Sequence, residues 1–327
     1  MKGLELARAY YEQFGEPLLR ASFPAYAGRI AAGLVGQGSE CFGFDDALSV
    51  DHDFGPAFCL WLTRSDYERI GPDLARGYAA LPKSFMGFPA RIDGAHSAGR
   101  VGVLCIGDFY RRHVGSEDGR FSFMEWLRLP ESALAAATNG AVFSDPLGEF
   151  SLIRERLLRF YPEDVRLKKL AARAALMAQS GQYNYARCMC RGETVAAFAA
   201  LAEFVRQTVS MVYLLNRKYT PFYKWMHRGM KALPVLGEDV AALLSDLSLA
   251  GIHKEHWRFA PPRDMLAVLN TGDRNVVIVE DICAMITKRL REEGLTDCDE
   301  DFLAAHAESL MSRIGDPALR SLHITEG

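Results

Sequence analysis

A short apolar segment that leads directly into a glycine-rich turn constrains the fold more than any other feature of this sequence. Residues 29–36 read Arg-Ile-Ala-Ala-Gly-Leu-Val-Gly, and Gly38 and Ser39 follow within three residues. An apolar run of this length that ends at glycine is typical of a buried β-strand entering a tight turn. The sequence therefore predicts a buried strand here, with Gly38 and Ser39 in the turn that follows it.

The rest of the chain predicts an α+β fold. Apolar and aromatic segments at 58–62 and 101–106 predict two more strands, and a helix over 65–81, with Ser65 as its N-cap, is predicted between them. Beyond Asp145 the sequence is rich in Ala, Leu, Arg and Glu, which favours helices. The predicted helices cover residues 148–161, 163–180, 193–216, 221–233, 237–249, 276–293 and 299–314. A chain of 327 residues is long enough for two domains. We expect a small mixed sheet with flanking helices in residues 1–145, followed by an all-helical domain in residues 146–327.

Bulk composition indicates a globular protein in a reducing compartment. The net charge of -3 and the pI near 6.3 provide no general attraction to a polyanion, so nucleic acid is an unlikely partner. The odd number of cysteines, seven, favours reduced thiols over a disulfide framework. The N-terminus lacks a signal-peptide core, and no stretch approaches the roughly 20 uninterrupted apolar residues of a membrane span. We expect a cytoplasmic protein with no membrane partner.

Two aspartates lie a short distance after the predicted turn. The segment Val50-Asp51-His52-Asp53-Phe54 is predicted to be extended, and side chains alternate along a strand, so Asp51 and Asp53 are expected to share one face. Carboxylate oxygens on one face are suited to hard divalent cations. Asp51 and Asp53 are therefore the predicted metal ligands, with Mg2+ or Mn2+ as the metal.

The turn itself is suited to phosphate. Glycine leaves the backbone uncovered, so the amides at Gly38 and the hydroxyl of Ser39 can approach the oxygens of a nucleoside triphosphate. A metal held by paired carboxylates would neutralise the triphosphate and polarise its α-phosphorus. Together, the turn and the two aspartates predict nucleotidyl transfer, with ATP the expected donor.

This pattern resembles the polymerase-beta-like nucleotidyltransferase superfamily, whose fingerprint is Gly-Ser or Gly-Gly, a spacer of about ten residues, and Asp-X-Asp. The spacer here is eleven residues, from Glu40 to Val50. Ser49, shortly before the aspartates, is also similar to the small adenylyltransferases that modify aminoglycosides. In such enzymes a helical second domain closes over nucleotide and acceptor, so the resemblance implies that the helical half of this chain closes the cleft.

The whole chain also resembles an uncharacterised bacterial family of this superfamily, known only as a domain of unknown function. Two segments carry this resemblance, Gln-Ser-Gly-Gln-Tyr-Asn-Tyr-Ala-Arg at 179–187 and Arg-Lys-Tyr-Thr-Pro-Phe-Tyr-Lys-Trp at 217–225. It implies a fold and the position of a site, but no substrate.

The chain departs from the superfamily pattern in two places. His52 stands between the aspartates, where an apolar residue is usual. Related proteins often carry a third acidic residue within the third strand, whereas the corresponding stretch here contains Gly102. We predict that Asp108, just beyond that strand, supplies the third carboxylate as base or metal ligand, with Asp93 as the next choice.

Polar residues of the helical half are further candidates. Lys224 and Arg228 are four apart on a predicted helix and so share a face. They either reach the triphosphate or form a solvated basic surface. A polar cluster from Gln182 to Arg187, at a predicted helix start after Gly181, either lines the acceptor site or stabilises a helix junction.

The sequence thus predicts an enzyme that transfers a nucleoside monophosphate from a nucleoside triphosphate to an acceptor hydroxyl. The acceptor is expected to be a small molecule or a protein. One alternative is a nucleotide-binding regulatory protein with little or no turnover, because the third acid is missing from its expected strand. Another is a structural helical protein that binds no nucleotide.

Overall fold

The computed structural model describes residues 1–49, 54–91, 99–257 and 269–327. Four short strands form one mixed sheet in the order β3-β2-β1-β4, where β1 is Ala31–Leu34, β2 is Cys59–Leu62, β3 is Gly102–Cys105 and β4 is Ala141–Ser144. β1 pairs antiparallel with both β2 and β4, whereas β2 and β3 run parallel. The predicted α+β fold with a small mixed sheet is confirmed.

Helices cover both faces of this sheet because its central strands are apolar on both sides. Four helices of the first half are labelled here: α1 is Gly3–Tyr10, α2 is Glu16–Ser22, α3 is Arg64–Ala79 and α4 is Ile106–Val114. On one face, Leu60 and Leu62 of β2 belong to a buried cluster with Tyr10 of α1 and Leu74 of α3. On the other face, Trp61 is fully buried, with its ring 3.9 Å from that of Phe150. Burying a Leu or Phe side chain, such as that of Leu60 or Phe150, stabilises the fold by about 1.5–3 kcal/mol.

Local details differ from the sequence predictions at two points. The helix after β2 is capped by Thr63 rather than Ser65, because the Thr63 hydroxyl accepts a hydrogen bond from the Asp66 amide at 3.2 Å. β4 was not predicted, since its four residues, Ala-Val-Phe-Ser, are too few to show a clear alternation.

The contacts of the chain divide it into two compact units. The first unit comprises Met1–Phe121 and Leu129–Phe160 and contains the sheet. The second comprises Ser122–Arg128 and Tyr161–Gly327. The described part of the second unit contains no strand and is largely helical, as the sequence predicts.

The helices of the second unit follow the predicted ones closely. Within the described residues beyond 160, the α-helices are Glu163–Met177, Ala186–Cys190, Thr194–Leu215, Tyr223–Met230, Gly237–Ala250, Arg274–Glu292, Leu303–Ser312 and Pro317–Ser321. One prediction was wrong here: the polar cluster from Gln182 to Arg187 does not begin a helix. Gln182 lies within a π-helical turn, Ala178–Tyr185, that continues the preceding helix. A Cβ at Gly181 would lie 2.4 Å from the Phe204 ring, so this glycine allows close packing rather than a helix start.

One helix of the described residues is long and apolar enough to cross a membrane, as judged from length and composition alone. This helix is Thr194–Leu215, and half of its most apolar window is buried within the protein. The sequence shows no run of this kind because Glu203, Arg206 and Gln207 interrupt the apolar residues.

Candidate functional site

Three chain segments meet at one edge of the sheet. In the pairing of β1 with β2, Gly33 lies opposite Cys59, so β1 ends where β2 begins. In the pairing of β2 with β3, Cys59 lies opposite Gly102, so β3 begins at the same edge. The turn after β1 and the segments that enter β2 and β3 are therefore brought together.

The turn after β1 presents backbone amides that the protein itself does not use. Within the described residues, the amides of Gln37, Gly38 and Ser39 donate no hydrogen bond. Gly36 and Gly38 have φ values of +133° and +132°, a backbone conformation that side chains other than glycine rarely adopt. Ser39 begins the 3-10 helix Glu40–Phe42, but its side chain makes no capping hydrogen bond. Consecutive unbonded amides beside an unbonded hydroxyl are donors that an anion can use.

Asn139 holds this turn in place, although no local sequence pattern indicates this role. The Asn139 side-chain oxygen accepts a hydrogen bond from the Gly36 amide at 2.9 Å, and its side-chain nitrogen donates to the Gly36 carbonyl at 2.7 Å. Both backbone groups of Gly36 are therefore satisfied by one side chain, 103 residues away. A contact of such sequence separation is visible only once β4 is placed beside β1.

A second residue that sequence analysis missed is Glu40. Its carboxylate packs against Gly38 so closely that a Cβ at position 38 would lie 2.5 Å from Oε2. Glu40 is only 7% exposed, and burial raises the pKa of its carboxyl group, while Arg91, 3.4 Å away, acts in the opposite direction. A Cβ at Gly3 would lie 2.6 Å from the Glu40 side chain and 2.9 Å from the Phe54 ring, so both side chains pack closely on Gly3. Glu40 therefore lies between the turn and the residue that directly follows Asp53.

Asp108, the predicted third carboxylate, lies in the first turn of α4 and is engaged in ion pairs. Its two oxygens accept hydrogen bonds from Arg64 at 2.9 and 2.5 Å, and Arg111 lies 3.2 Å away. The hydrogen bonds from Arg64 are the main reason that the pKa of Asp108 falls below its ordinary value. Glu117 pairs with the same two arginines. Asp108 is thus a charged carboxylate whose charge is offset by neighbouring arginines.

A cavity of about 280 Å³ lies between the turn and α4. Its lining combines apolar side chains with polar and charged ones, namely Val35, Leu104 and Phe109 together with Gln37, Arg100, Asp108, Arg112 and His113. Gly36 and Gly99 complete the lining. The cavity therefore lies at the sheet edge that carries the phosphate-suited turn.

His113 is held in its neutral form in this cavity. Burial, reinforced by the charge of Arg112, lowers the pKa of His113 to about 4. The ring packs against Phe109, with centroids 4.7 Å apart, and its Nε2 lies 3.7 Å from the position that a Gly36 Cβ would occupy. Its ring nitrogens form no hydrogen bond with any other described residue.

The predicted metal ligands Asp51 and Asp53, as well as Asp93, lie outside the described residues. In the part of the chain that the structure describes, no three His, Cys, Asp or Glu side chains form a group that could hold a metal ion. Mg2+ at Asp51 and Asp53 therefore stays a prediction. The described residues contribute two parts of the candidate site: the phosphate-suited turn and the buried carboxylate of Glu40.

Lys224 and Arg228 lie in the second unit, on the helix Tyr223–Met230. Both side chains are exposed, and both contact the ring of Trp225: the Lys224 ammonium is 4.9 Å and the Arg228 guanidinium 5.9 Å from its centroid. Cations over an aromatic face are stabilised by about 0.5–1 kcal/mol at exposed sites. Their predicted contact with phosphate stays a prediction.

Comparison with known proteins gives limited matches. The family described as "Domain of unknown function (DUF4037)" matches residues 126–226. No curated protein matches the chain. A solved structure, that of a nucleotidyltransferase-like protein from Exiguobacterium sibiricum, is similar at 12% sequence identity and a TM-score of 0.36. The match covers 91% of this chain and 89% of that protein.

Proposed function

We propose that this protein is a nucleotidyltransferase that transfers a nucleoside monophosphate, AMP from ATP, to the hydroxyl group of a small molecule or a protein. One observation carries the proposal: within the described residues, the amides of Gln37, Gly38 and Ser39 and the Ser39 hydroxyl make no hydrogen bond, at the sheet edge where β2 begins. The Asp51 and Asp53 segment lies six residues before that strand in the sequence. Phosphate donors and metal ligands are thus expected to converge.

The turn orients the triphosphate in this proposal. The three amides and the Ser39 hydroxyl donate hydrogen bonds to phosphate oxygens, and the donors are already in position because Asn139 fixes Gly36. Asp51 and Asp53 hold Mg2+ or Mn2+, which supplies charge neutralisation at the phosphates. The acceptor oxygen forms a bond to the α-phosphorus, the bond to the pyrophosphate oxygen breaks, and the hydroxyl proton passes to a carboxylate.

We assign that third carboxylate to Glu40. Glu40 also faces Arg91, but burial has the larger effect and raises its pKa, so Glu40 is a better proton acceptor than a carboxylate whose pKa is lowered by ion pairs. Both oxygens of Asp108, the residue predicted from sequence, are bound by Arg64. Asp108 remains the alternative, and paired variants of the two residues distinguish them.

The test is a screen of the four ribonucleoside triphosphates with Mg2+ or Mn2+, read out as pyrophosphate release and as a mass gain on the protein or on candidate acceptors. We expect one triphosphate to support release, Asp53→Ala to abolish it, and Ser39→Ala to raise KM about tenfold, the value of one hydrogen bond to a charged group. Ser84→Ala, at an exposed serine that makes no hydrogen bond within the described chain, is the matched control. Release that persists undiminished in Asp53→Ala would exclude this site.

A nucleotide-binding regulatory protein without turnover is the second candidate. It is favoured by the glycine at position 102 of β3 and by the ion pairs that occupy Asp108. Such a protein binds nucleotide with Mg2+ and releases no pyrophosphate. Calorimetry combined with the release assay separates the two functions.

A further inference from the structure

The cavity between the turn and α4 has the features of an anion site. Arg112 is its main cation: the guanidinium donates to the Gly99 carbonyl at 2.7 Å and to no other group of the described residues. No carboxylate of the described residues lies within ion-pair distance of Arg112. This contrasts with the adjacent Arg111, which pairs with both Asp108 and Glu117.

The one carboxylate in the cavity lining does not oppose an anion strongly. Asp108 is matched by Arg64 and Arg111, so its negative charge is already offset. Arg112, by contrast, adds positive charge to the lining. A cationic ligand would find no unmatched carboxylate here among the described residues.

Two neutral donors stand beside Arg112. The His113 imidazole faces Gly36 and makes no hydrogen bond with any described residue, so it has one ring N–H to donate at neutral pH. The Gln37 amide, on the turn that forms the opposite wall, is also unbonded within the described chain. A guanidinium together with neutral N–H donors is a combination that recognises phosphate oxygens.

The size of the cavity limits the ligand. Its volume of about 280 Å³ is at or below the lower end of pockets for drug-sized ligands, which begin near 300 Å³. A whole nucleotide exceeds this space, whereas one or two phosphate groups fit it. The apolar side chains of Val35, Leu104 and Phe109 lower the local polarity of the cavity, which strengthens charged hydrogen bonds.

We propose that this cavity binds a phosphate or pyrophosphate group through Arg112, His113 and the Gln37 amide. The inference rests on the proposed function for the origin of that group, which is either the β,γ end of the nucleoside triphosphate or a phosphate carried by the acceptor. In both cases the cavity adds a second phosphate contact next to the Gly38–Ser39 turn. It also disfavours a cationic acceptor such as an aminoglycoside.

Calorimetric titration with inorganic pyrophosphate, without divalent metal, tests the proposal on the full chain. We expect binding to the unmodified protein and a 10- to 100-fold weaker affinity for Arg112→Met, as for a lost charge-assisted hydrogen bond. The matched control is Arg76→Met, which removes the same charge from an exposed position on α3 and does not line the cavity. It should change affinity less than threefold. Thermal unfolding of both variants establishes that they are folded.

Three further results decide the matter. Equal weakening in both arginine variants, or no pyrophosphate binding at all, overturns the proposal. Saturation with a non-hydrolysable ATP analogue and Mg2+ distinguishes the sources: if it displaces pyrophosphate, the cavity takes the triphosphate end. If glycerol 3-phosphate instead binds alongside the analogue in an Arg112-dependent manner, the cavity takes the acceptor phosphate. Both outcomes support the cavity.

The same measurements keep this inference separate from the proposed function. Asp53→Ala should retain pyrophosphate binding in the absence of metal while losing nucleotidyl transfer. If the unmodified protein shows no transfer but binds pyrophosphate through Arg112, the proposed function fails and the anion site stands.

Discussion

Asn139 binds both the amide and the carbonyl of Gly36, at 2.9 and 2.7 Å, and so joins the segment before β4 to the turn after β1. The same arrangement occurs in the second unit, where Asn216 binds the amide and the carbonyl of Val235, each at 2.9 Å. The chain therefore contains two asparagine clamps, in each of which one side chain binds both backbone groups of a distant residue. Only the first holds the candidate phosphate turn.

This pair provides a matched test of the turn. Asn139→Ala leaves the two backbone groups of Gly36 without their partner, which should lower the free energy of unfolding by about 1–3 kcal/mol. Asn216→Ala should have a similar effect on stability. Only Asn139→Ala is expected to weaken Mg2+-nucleotide binding, by about tenfold or more, as measured by calorimetry. Equal nucleotide affinity in the two variants would show that the clamp does not organise a binding site.

A second prediction concerns Gly38. Alanine at this position is strained by the positive φ, which costs about 1–2 kcal/mol for an L residue. Its Cβ would also lie only 2.5 Å from Oε2 of Glu40, so the Glu40 carboxylate would have to move. We expect Gly38→Ala to abolish nucleotide binding and to destabilise the protein beyond the backbone cost alone.

Gly43→Ala is the control for this substitution. Gly43 also has a positive φ, +71°, but a Cβ there would meet nothing within 4 Å. Gly43→Ala should lower the free energy of unfolding, measured by chemical denaturation, by about 1 kcal/mol. It should leave nucleotide affinity unchanged. If Gly38→Ala behaves like Gly43→Ala in both measurements, the close packing of Glu40 on the turn has no functional role.

The third prediction distinguishes the two candidate carboxylates. Glu40→Gln should lower the rate of nucleotidyl transfer about 100-fold or more, the usual size of a general acid-base contribution. Glu40→Gln also removes the charge that faces Arg91, 3.4 Å away, so thermal unfolding of this variant is measured alongside the rate. Asp108→Asn, which affects a half-exposed ion pair, should lower the rate less than tenfold. If Asp108→Asn lowers the rate more than Glu40→Gln does, Asp108 is the proton acceptor.

The sequence was sufficient to predict the strands and helices whose apolar patterns are clear. Residues 29–36 contain β1, and the helix predicted over 193–216 is found at Thr194–Leu215. Ser39 could be proposed as a phosphate ligand because a glycine turn after a strand has a direct chemical consequence. Local pattern alone explains why β1 and this helix were predicted, whereas the role of Ser39 stays a prediction.

Asn139, Glu40 and the cavity lined by Arg112 could not be predicted in this way. Asn139 forms hydrogen bonds with Gly36, 103 positions away. Glu40 became a candidate only because its carboxylate is buried against Gly38. Asp108 was chosen from its position after β3, but sequence proximity does not reveal that Arg64, 44 residues away, binds it. Long-range pairing and desolvation depend on the tertiary fold, which no spacing in the sequence encodes.

The last prediction follows from the neutral state of His113. Its folded-state pKa, about 4, lies below the ordinary value of 6.5, so between these two pH values the unfolded chain binds a proton that the folded protein does not. The stabilisation from keeping His113 neutral is therefore complete above pH 6.5 and is lost as the pH falls towards 4, by up to about 3 kcal/mol.

His306, whose pKa is also lowered by burial, acts in the same direction, so the informative quantity is the difference between the unmodified protein and His113→Gln. We expect denaturant unfolding from pH 7.5 to 4 to show a weaker loss of stability in His113→Gln, because glutamine takes up no proton on unfolding. Parallel stability curves for the two proteins would mean that His113 is solvated, and would remove it from the cavity wall that faces Gly36.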